Sequence, residues 1–470
     1  MIILAATVIL SISNNNPLSA AKQATFKTDV RSFQEELSMY IANNNMTGTS
    51  DSKINTNDMP TVEEMKKYIS IFTSKYVNKL GIYNNELVYY KNNNEKVNNQ
   101  VTDEEEVWLI ELGIKKKVIE TSVESFEWGS DDPNNSEYYT LTKYIGEETS
   151  IIVPKRCHKI GEKAFGYKKN IIKVELQSGI TNIGKGAFAY CSELSSINLP
   201  EGITDIDEDA FIRCKKLNNI TLPKSISEVG IGRSTFQGCE ELTSIVIPDK
   251  VRFIDVATFM GCSNLKEVTL PEGLLGIYAQ AFDGCTSLKN IKFPSNIAVI
   301  SGGAFNNTAL TQINIPKDVH SIGDGAFGAC KALTNITVDN NNSYFIVQDK
   351  VLYDKAKTTI IQFPAGKTDT EFTIPSSVKK IFRKAFYGVD TIEKVNIPNT
   401  VTEIGYNVFH NCGNLKSVVI PRSVEIIESP TFYGSPNLTI YCERSETDIP
   451  STWQKGWNGN VTNIVWDYTG

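Results

Sequence analysis

Apolar positions along this chain follow two rhythms. From about residue 138 onward they come in short runs of the form L-x-x-I-x-L closed by proline, as with Leu194, Ile197 and Leu199 before Pro200. The last part of that run alternates, so Ile197 and Leu199 point to one side of a strand while Ser196 and Asn198 point to the other. Proline ends the strand because it has no N–H for a sheet ladder. Ile203 and Ile206 carry the inward stripe into a second short extended segment. Ala210 and Phe211 then turn the chain, the small residue allowing close approach and the ring filling the interior.

This unit recurs. Its phenylalanine falls at Phe165, Phe188, Phe211, Phe236, Phe259, Phe282, Phe305, Phe327, Phe386, Phe409 and Phe432, mostly 23 residues apart, with one interval of 25, one of 22 and one of 59. No single unit can bury its apolar face alone, so stacked neighbours must supply the cover. The expected fold is a parallel β solenoid of about 23-residue coils. Strands ending at Phe363-Pro364 and Ile374-Pro375 carry the stack through the long interval as an irregular coil. Within it, residues 339–342, one aspartate and three asparagines, read as a turn or protruding loop.

Ahead of the repeats the rhythm is helical. Phe26, Val30, Phe33, Leu37 and Tyr40 fall at three- and four-residue spacing, which predicts one amphipathic helix over residues 14–45. A small α+β region follows, with a helix over 61–79, a strand over 86–90 and a helix over 102–112. Gly, Pro and Asp-Asp mark residues 122–136 as a linker. The expected division is therefore a helical segment over 1–45, a mixed region over 46–121, a linker over 122–137, a solenoid over 138–442 and a cap over 443–470.

The first twelve residues, MIILAATVILSI, form an uncharged apolar run shorter than the roughly 20 residues of a spanning helix. Three readings are open: a signal-peptide core, the second half of a longer hydrophobic helix, or a buried helix of a soluble domain. The first two place the protein at or beyond a membrane, the second by association through this N-terminal helix. The chain has 470 residues, 41% apolar, with a formal net charge of −7. A size of this order calls for several domains or a repeat array. The negative balance, with no basic run longer than residues 115–117, excludes a nucleic-acid binder.

Seven of nine cysteines, Cys191, Cys214, Cys239, Cys262, Cys285, Cys330 and Cys412, stand three residues after a repeat phenylalanine. Equivalent positions stack with parallel Cβ directions, which a disulfide does not tolerate. They are expected to be buried free thiols acting as small hydrophobes. One cysteine per coil without nearby histidine lacks metal-site spacing, so neither a metal nor a cofactor is expected.

Catalysis finds little footing. His158, His320 and His410 occupy different repeat positions. The acids at residues 104–106 and at Asp205, Asp207, Glu208 and Asp209 read as solvated faces, and no phosphate loop, nucleophile elbow or zinc signature occurs. Binding is better supported. In each strand the residue between the inward aliphatics faces outward, giving a column of Glu175, Asn198, Thr221, Val246, Thr269, Lys292, Asn314, Thr337, Asn396 and Val419. A parallel column holds Lys173, Ser196, Asn219, Ser244, Glu267, Asn290, Gln312, Asn335, Lys394 and Ser417. The candidate ligand-binding residues are Glu175, Asn198, Thr221, Thr269, Lys292, Asn314, Thr337, Lys394 and Asn396. The bland alternative is that Thr, Val and Asn there serve β-preference and solvent.

The segment IGKGAFAYCSELSSINLP, residues 183–200, resembles the BspA-type (treponemal) leucine-rich repeat, and the resemblance extends over residues 138–442. The segment from Ile440 to Asn460 resembles the C-terminal cap of such arrays, with Trp453 and Trp457 covering the last coil. The resemblance implies a cell-surface or secreted protein that adheres to a protein or glycan on a host or neighbouring cell. Residues 3–40 are similar to the N-terminal helix of type IV pilin-like proteins of Gram-positive bacteria, although the leader, Gly processing site and acidic residue of that family are absent. That likeness implies a filament subunit displaying a repeat head. A carbohydrate-active enzyme is a third reading, and it requires two acids converging at a defined separation.

Overall fold

The structure, a computed structural model, describes residues 17–46, 60–83, 86–90, 101–117, 121–130 and 139–470. The apolar run at residues 1–12 lies outside the described residues. The described residues form two compact units, one from within residues 1–121 with 150–152, the other from within residues 122–149 with 153–470.

In the first unit, helix α1 (Pro17–Met46) buries Phe26, Val30, Phe33 and Leu37, the stripe expected from their spacing. Opposite them lie Met65, Ile69, Phe72 and Tyr76. Phe33 meets the Tyr76 ring edge-on at 5.0 Å. The long helix expected over residues 61–79 is not formed. Helix α2 covers only Val62–Lys66, followed by turns and a single 3-10 turn at Ser74–Tyr76. The reason is tertiary: Glu36 on α1 accepts the Ser70 hydroxyl and the Ile71 N–H (3.3 Å), which takes that amide out of the helical ladder. The same four apolar residues still reach α1, through successive turns instead of one helix. Strands β1 (Leu80–Tyr83) and β2 (Glu86–Tyr90) pair antiparallel, and helix α3 (Asp103–Glu111) starts with a Thr102/Glu105 capping box. Strand β3 (Lys115–Lys117) then adds parallel to β2.

The second unit opens with a strand where a linker was expected. Strand β4 (Phe126–Ser130) pairs antiparallel with β5 (Tyr139–Tyr144), and residues 131–138 between them lie outside the described residues. Phe126 is buried against Tyr144 (5.4 Å) and Phe165 (6.5 Å), so this hairpin closes the exposed end of the first coil. A bare coil edge would leave apolar surface and ladder groups open, which is why the segment is recruited.

From there the coils stack in parallel register. Ser196, Ile197 and Asn198 pair with Lys173, Val174 and Glu175, a shift of one 23-residue coil, and the second short strands pair alike, Ile206 with Ile183. At the turn, the N–H of most repeat phenylalanines donates to the carbonyl of the residue that precedes the next coil's phenylalanine, as from Phe188 to Ala210 and from Phe259 to Ala281 (both 2.8 Å). The rings therefore lie face to face: Phe188–Phe211 and Phe259–Phe282 have centroids 5.2 Å apart, with planes within 11° of parallel.

In the long interval, Phe363 stands 36 residues after Phe327 and 23 before Phe386 and stacks on the latter at 5.0 Å. It is a repeat phenylalanine hidden in the sequence by its unusual neighbours. The extra length folds into an antiparallel hairpin of Phe345–Gln348 and Val351–Asp354. The loop expected at residues 339–342 protrudes only in part. Asn342 is buried, donating to the carbonyls of Pro316 (2.8 Å) and Val319 (2.9 Å) and accepting from the N–H groups of Tyr344 and Phe345. At the far end Trp457 meets Phe432 edge-on at 6.0 Å and Trp453 at 4.9 Å, both indoles buried.

The nine cysteines are free and buried. They are more than hydrophobes. Each of the seven repeat thiols donates to the carbonyl of the phenylalanine one coil earlier, as Cys214 to Phe188 (3.1 Å) and Cys285 to Phe259 (3.2 Å). The Phe188 carbonyl also accepts the N–H of its own coil's Cys191 (3.2 Å), and the Phe259 carbonyl that of Cys262 (3.1 Å). Ser435 makes the same bond to Phe409 (2.8 Å), so the position calls for a small donor.

Two residues beyond the phenylalanine the chain is left-handed, at Gly261 (φ 73°) and Gly388 (φ 71°) among others. A Cβ on Gly261 meets nothing closer than 3.8 Å, whereas on Gly388 it meets Ala329 Cβ at 2.7 Å. Gly261→Ala is expected to cost about 1 kcal/mol from backbone strain alone. Gly388→Ala should cost measurably more, because steric overlap adds to the same strain. Equal urea midpoints for the two variants would contradict this packing.

Candidate binding face

The outward residues of the first strands form the two columns expected from the repeat. Gln312 and Asn314 lie beside Asn335 and Thr337, and Lys394 and Asn396 beside Ser417 and Val419. The columns contain two more members, Glu371 and Thr373, which pair with Lys394 and Asn396. The irregular coil hid them; the signal was present in the alternation of Glu371, Phe372, Thr373 and Ile374 before Pro375.

The candidates do not all stand free. Both amide atoms of Asn198 are committed to the Leu176 main chain, at 2.8 and 2.9 Å, so that residue locks one coil to the previous one. Lys394 pairs with Glu371 at 3.0 Å, and Asn396 donates to Glu371 (2.8 Å) and Thr373 (3.1 Å). Hydrogen bonding from Asn396 and the Lys394 ammonium hold the Glu371 carboxyl below the usual carboxylate range. Glu175 is half-buried, 3.9 Å from Lys173, and Thr337 donates to Asn314 at 3.0 Å. Thr221, Thr269 and Lys292 are exposed, with no side-chain partner among the described residues.

The sheet bearing these columns is not continuous. Its ladder breaks after the Ser196–Asn219 bridge at residues 219–221, at 290–292, and at the irregular coil between Asn335–Val338 and Glu371–Thr373. The first two adjoin departures from the 23-residue period: the interval of 25 ends at Phe236 and the interval of 22 begins at Phe305. An added or missing residue pulls one coil out of ladder register with its neighbour. A depression lies over each of the first two breaks. The larger encloses about 1100 Å³ and brings together Thr269, Lys292, Asn314 and Thr337 with Lys266 and Lys289. The smaller encloses about 390 Å³ and holds Asn198 and Thr221. Glu175, Lys394 and Asn396 lie outside both.

Elsewhere the ionisable groups serve the fold. His410 sits between the rings of Tyr387 (5.3 Å) and Tyr433 (5.2 Å), and burial lowers its basicity. Glu208 pairs with Lys185 at 3.0 Å and Arg233 at 3.7 Å, while burial lifts the carboxyls of Asp207 and Asp209. Among the described residues no cluster of three His, Cys, Asp or Glu could hold a metal, and no helix is long and apolar enough to cross a membrane.

The BspA-type leucine-rich repeat region matches in six copies, over residues 143–230, 229–359 and 363–453. The chain belongs to the BspA-type leucine-rich repeat family. No curated protein matches it. Among solved structures it is similar to a leucine-rich cell-surface protein of Faecalibacterium prausnitzii, with 24% identity and a TM-score of 0.49 over 76% of this chain and 99% of that one. It is also similar to the leucine-rich repeat protein of T. pallidum, with 27% identity and a TM-score of 0.36 over 46% and 91% of the two chains. A third similar structure is the pneumococcal vaccine antigen PcpA, at 19% identity and a TM-score of 0.42 over 75% and 85%.

Proposed function

We propose that the protein is a non-catalytic, cell-surface or secreted adhesin-like binding protein whose sheet face engages a protein or glycan on another cell. The observation that carries this reading is the register of the outward columns. Coil after coil presents hydroxyl, amide and ammonium groups at fixed spacing on one face, and two depressions give that face relief. A rigid repeat presents such groups without reordering them on binding, which lowers the entropic cost of association. The family resemblance points the same way.

The test uses full-length protein against immobilised matrix proteins and a glycan array. Capture is expected, and Lys292→Glu should alter it more than tenfold. Lys394→Glu should alter it less, because Lys394 is already held by Glu371. Protease treatment of intact cells should remove the solenoid. Absence of capture across the panel, or capture indifferent to both substitutions, argues against a sheet-face binder.

A second reading keeps the solenoid as the head of a pilin-like filament. It is supported by the 30 residues of α1, whose apolar stripe packs on its own small unit and which begins at Pro17, shortly after the apolar run of residues 1–12. Electron microscopy of the cell surface, with antibody to the solenoid, separates filaments from dispersed protein.

A further inference from the structure

Two features of the larger depression carry a local cost. The first concerns charge. Residues one coil apart stack, and stacked like charges are destabilising. At several other places this chain pairs stacked charges of opposite sign: Glu393 with Lys416 at 2.7 Å, Lys380 with Glu403 at 2.5 Å, Glu193 with Lys216 at 2.6 Å. Lys266 and Lys289 occupy the same repeat position as Glu393 and Lys416, seven residues after the phenylalanine, yet both are lysines. Lys292 adds a third ammonium. The depression holds these three and one acid, Glu267, in a chain of net charge −7. None of the three lysines has an ion-pair partner among the described residues.

The second feature concerns the main chain. Among the described residues, no backbone hydrogen bond joins residues 290–292 to the strand on either side, and only the Thr311 N–H reaches the neighbouring Lys289 carbonyl, at 3.2 Å. Local costs without local compensation mark functional sites.

We infer that this depression binds an acidic polysaccharide, whose carboxylate or sulfate groups neutralise Lys266, Lys289 and Lys292 while its hydroxyls meet the neighbouring amides and hydroxyls. The inference rests on the sheet-face reading above and names its ligand class. The lining decides between ligand classes. It contains no aromatic residue and no arginine, the anchors on which protein interfaces concentrate their energy. It is rich in threonine, asparagine and glutamine, which suit a polyhydroxylated chain. The lysines select an anionic one.

The test titrates full-length protein against immobilised heparin, polygalacturonate, neutral dextran and poly-glutamate. Binding to heparin, polygalacturonate or both is expected, without binding to dextran, and weakening as salt is raised. The variant Lys266→Gln/Lys289→Gln/Lys292→Gln should weaken it at least tenfold. A control, Lys169→Gln/Lys224→Gln/Lys250→Gln, should change it less than twofold. Heparin alone assigns sulfate and polygalacturonate alone carboxylate, and either supports the inference. Equal loss in both triple variants, or none in the first, overturns it. Poly-glutamate binding as tight as the polysaccharides, lost in the first variant, transfers the site to acidic proteins and overturns the glycan assignment. If polyanions are ignored while Lys292→Glu still alters capture of another ligand, the ligand class falls and the sheet-face reading stands. If no ligand responds to any of these substitutions, both fall.

Discussion

Phe259→Ala lowers the stability of the solenoid by about 3–5 kcal/mol, the range for removing a fully buried phenyl ring from a core that cannot collapse around the space. Phe259 has no exposed surface and lies between Phe236 at 5.5 Å and Phe282 at 5.2 Å. The coils cannot close on the cavity, because their separation is set by backbone bonds such as Phe259 N–H to Ala281. In a one-dimensional array, stability is a sum of coil terms and nearest-neighbour interfaces, so a central deletion weakens two interfaces at once. The unfolding transition should therefore broaden or split as well as shift. Phe253 is a suitable control. It also stacks, on Tyr278 at 5.4 Å, but it lies on a short strand and is only partly buried. Phe253→Ala should cost under about 1.5 kcal/mol, near the value of a ring pair. Urea unfolding followed by circular dichroism separates them, and similar midpoints for the two variants would refute the central role of the phenyl stack.

The second large effect is a loss of stability in mild alkali. Burial pushes the thiols of Cys191, Cys262 and Cys412 up to about 12 and that of Cys330 to about 11, and it raises Cys214, Cys239 and Cys285 well above the ordinary value. In the unfolded chain these groups titrate near 8.5. Their folded values are raised, so the folded state holds its protons where the unfolded state has lost them. The stabilisation is complete below about pH 8.5 and is lost progressively as pH rises through 9 towards 11 to 12. Several thiols share one direction, so the slope is steep. The urea midpoint should be level from pH 7 to 8 and fall sharply between pH 9 and 10, before lysine and tyrosine titrate. Over the same range the native thiols should resist iodoacetamide and react fully only in urea. A midpoint unchanged to pH 10, or ready alkylation of the native protein at pH 8, would contradict their placement as hydrogen-bond donors within the stack.

How much of this was legible beforehand depends on the range of the interaction. Repetition makes a local pattern global. Once Leu194, Ile197, Leu199 and Phe211 recur every 23 residues, the parallel register, the phenyl stack, the outward columns and the buried thiols all follow, because equivalent residues must lie above one another. The hidden phenylalanine at 363 shows the limit of that logic. Its 36-residue spacing breaks the count, although its ring keeps its place. The thiols show another limit: sequence marks them as small and buried, but only the turn geometry reveals the Phe188 carbonyl waiting for the Cys214 proton.

Outside the repeats, tertiary structure decided more. Residues 61–79 have helical spacing, yet Glu36 on another element captures the Ile71 amide and breaks the helix. Residues 126–130 carry linker-like neighbours, yet the first coil needs an end cover and takes them as a strand. On the binding face, the repeat determined which residues point outward. The backbone alone decided that Asn198 is consumed by Leu176, that Lys394 is held by Glu371, and that Thr269, Lys292, Asn314 and Thr337 share one depression. Periodicity fixes a residue's direction, because direction is a local property of the strand. Its partners depend on how far each coil drifts from the next, and that is settled only when the whole stack is assembled.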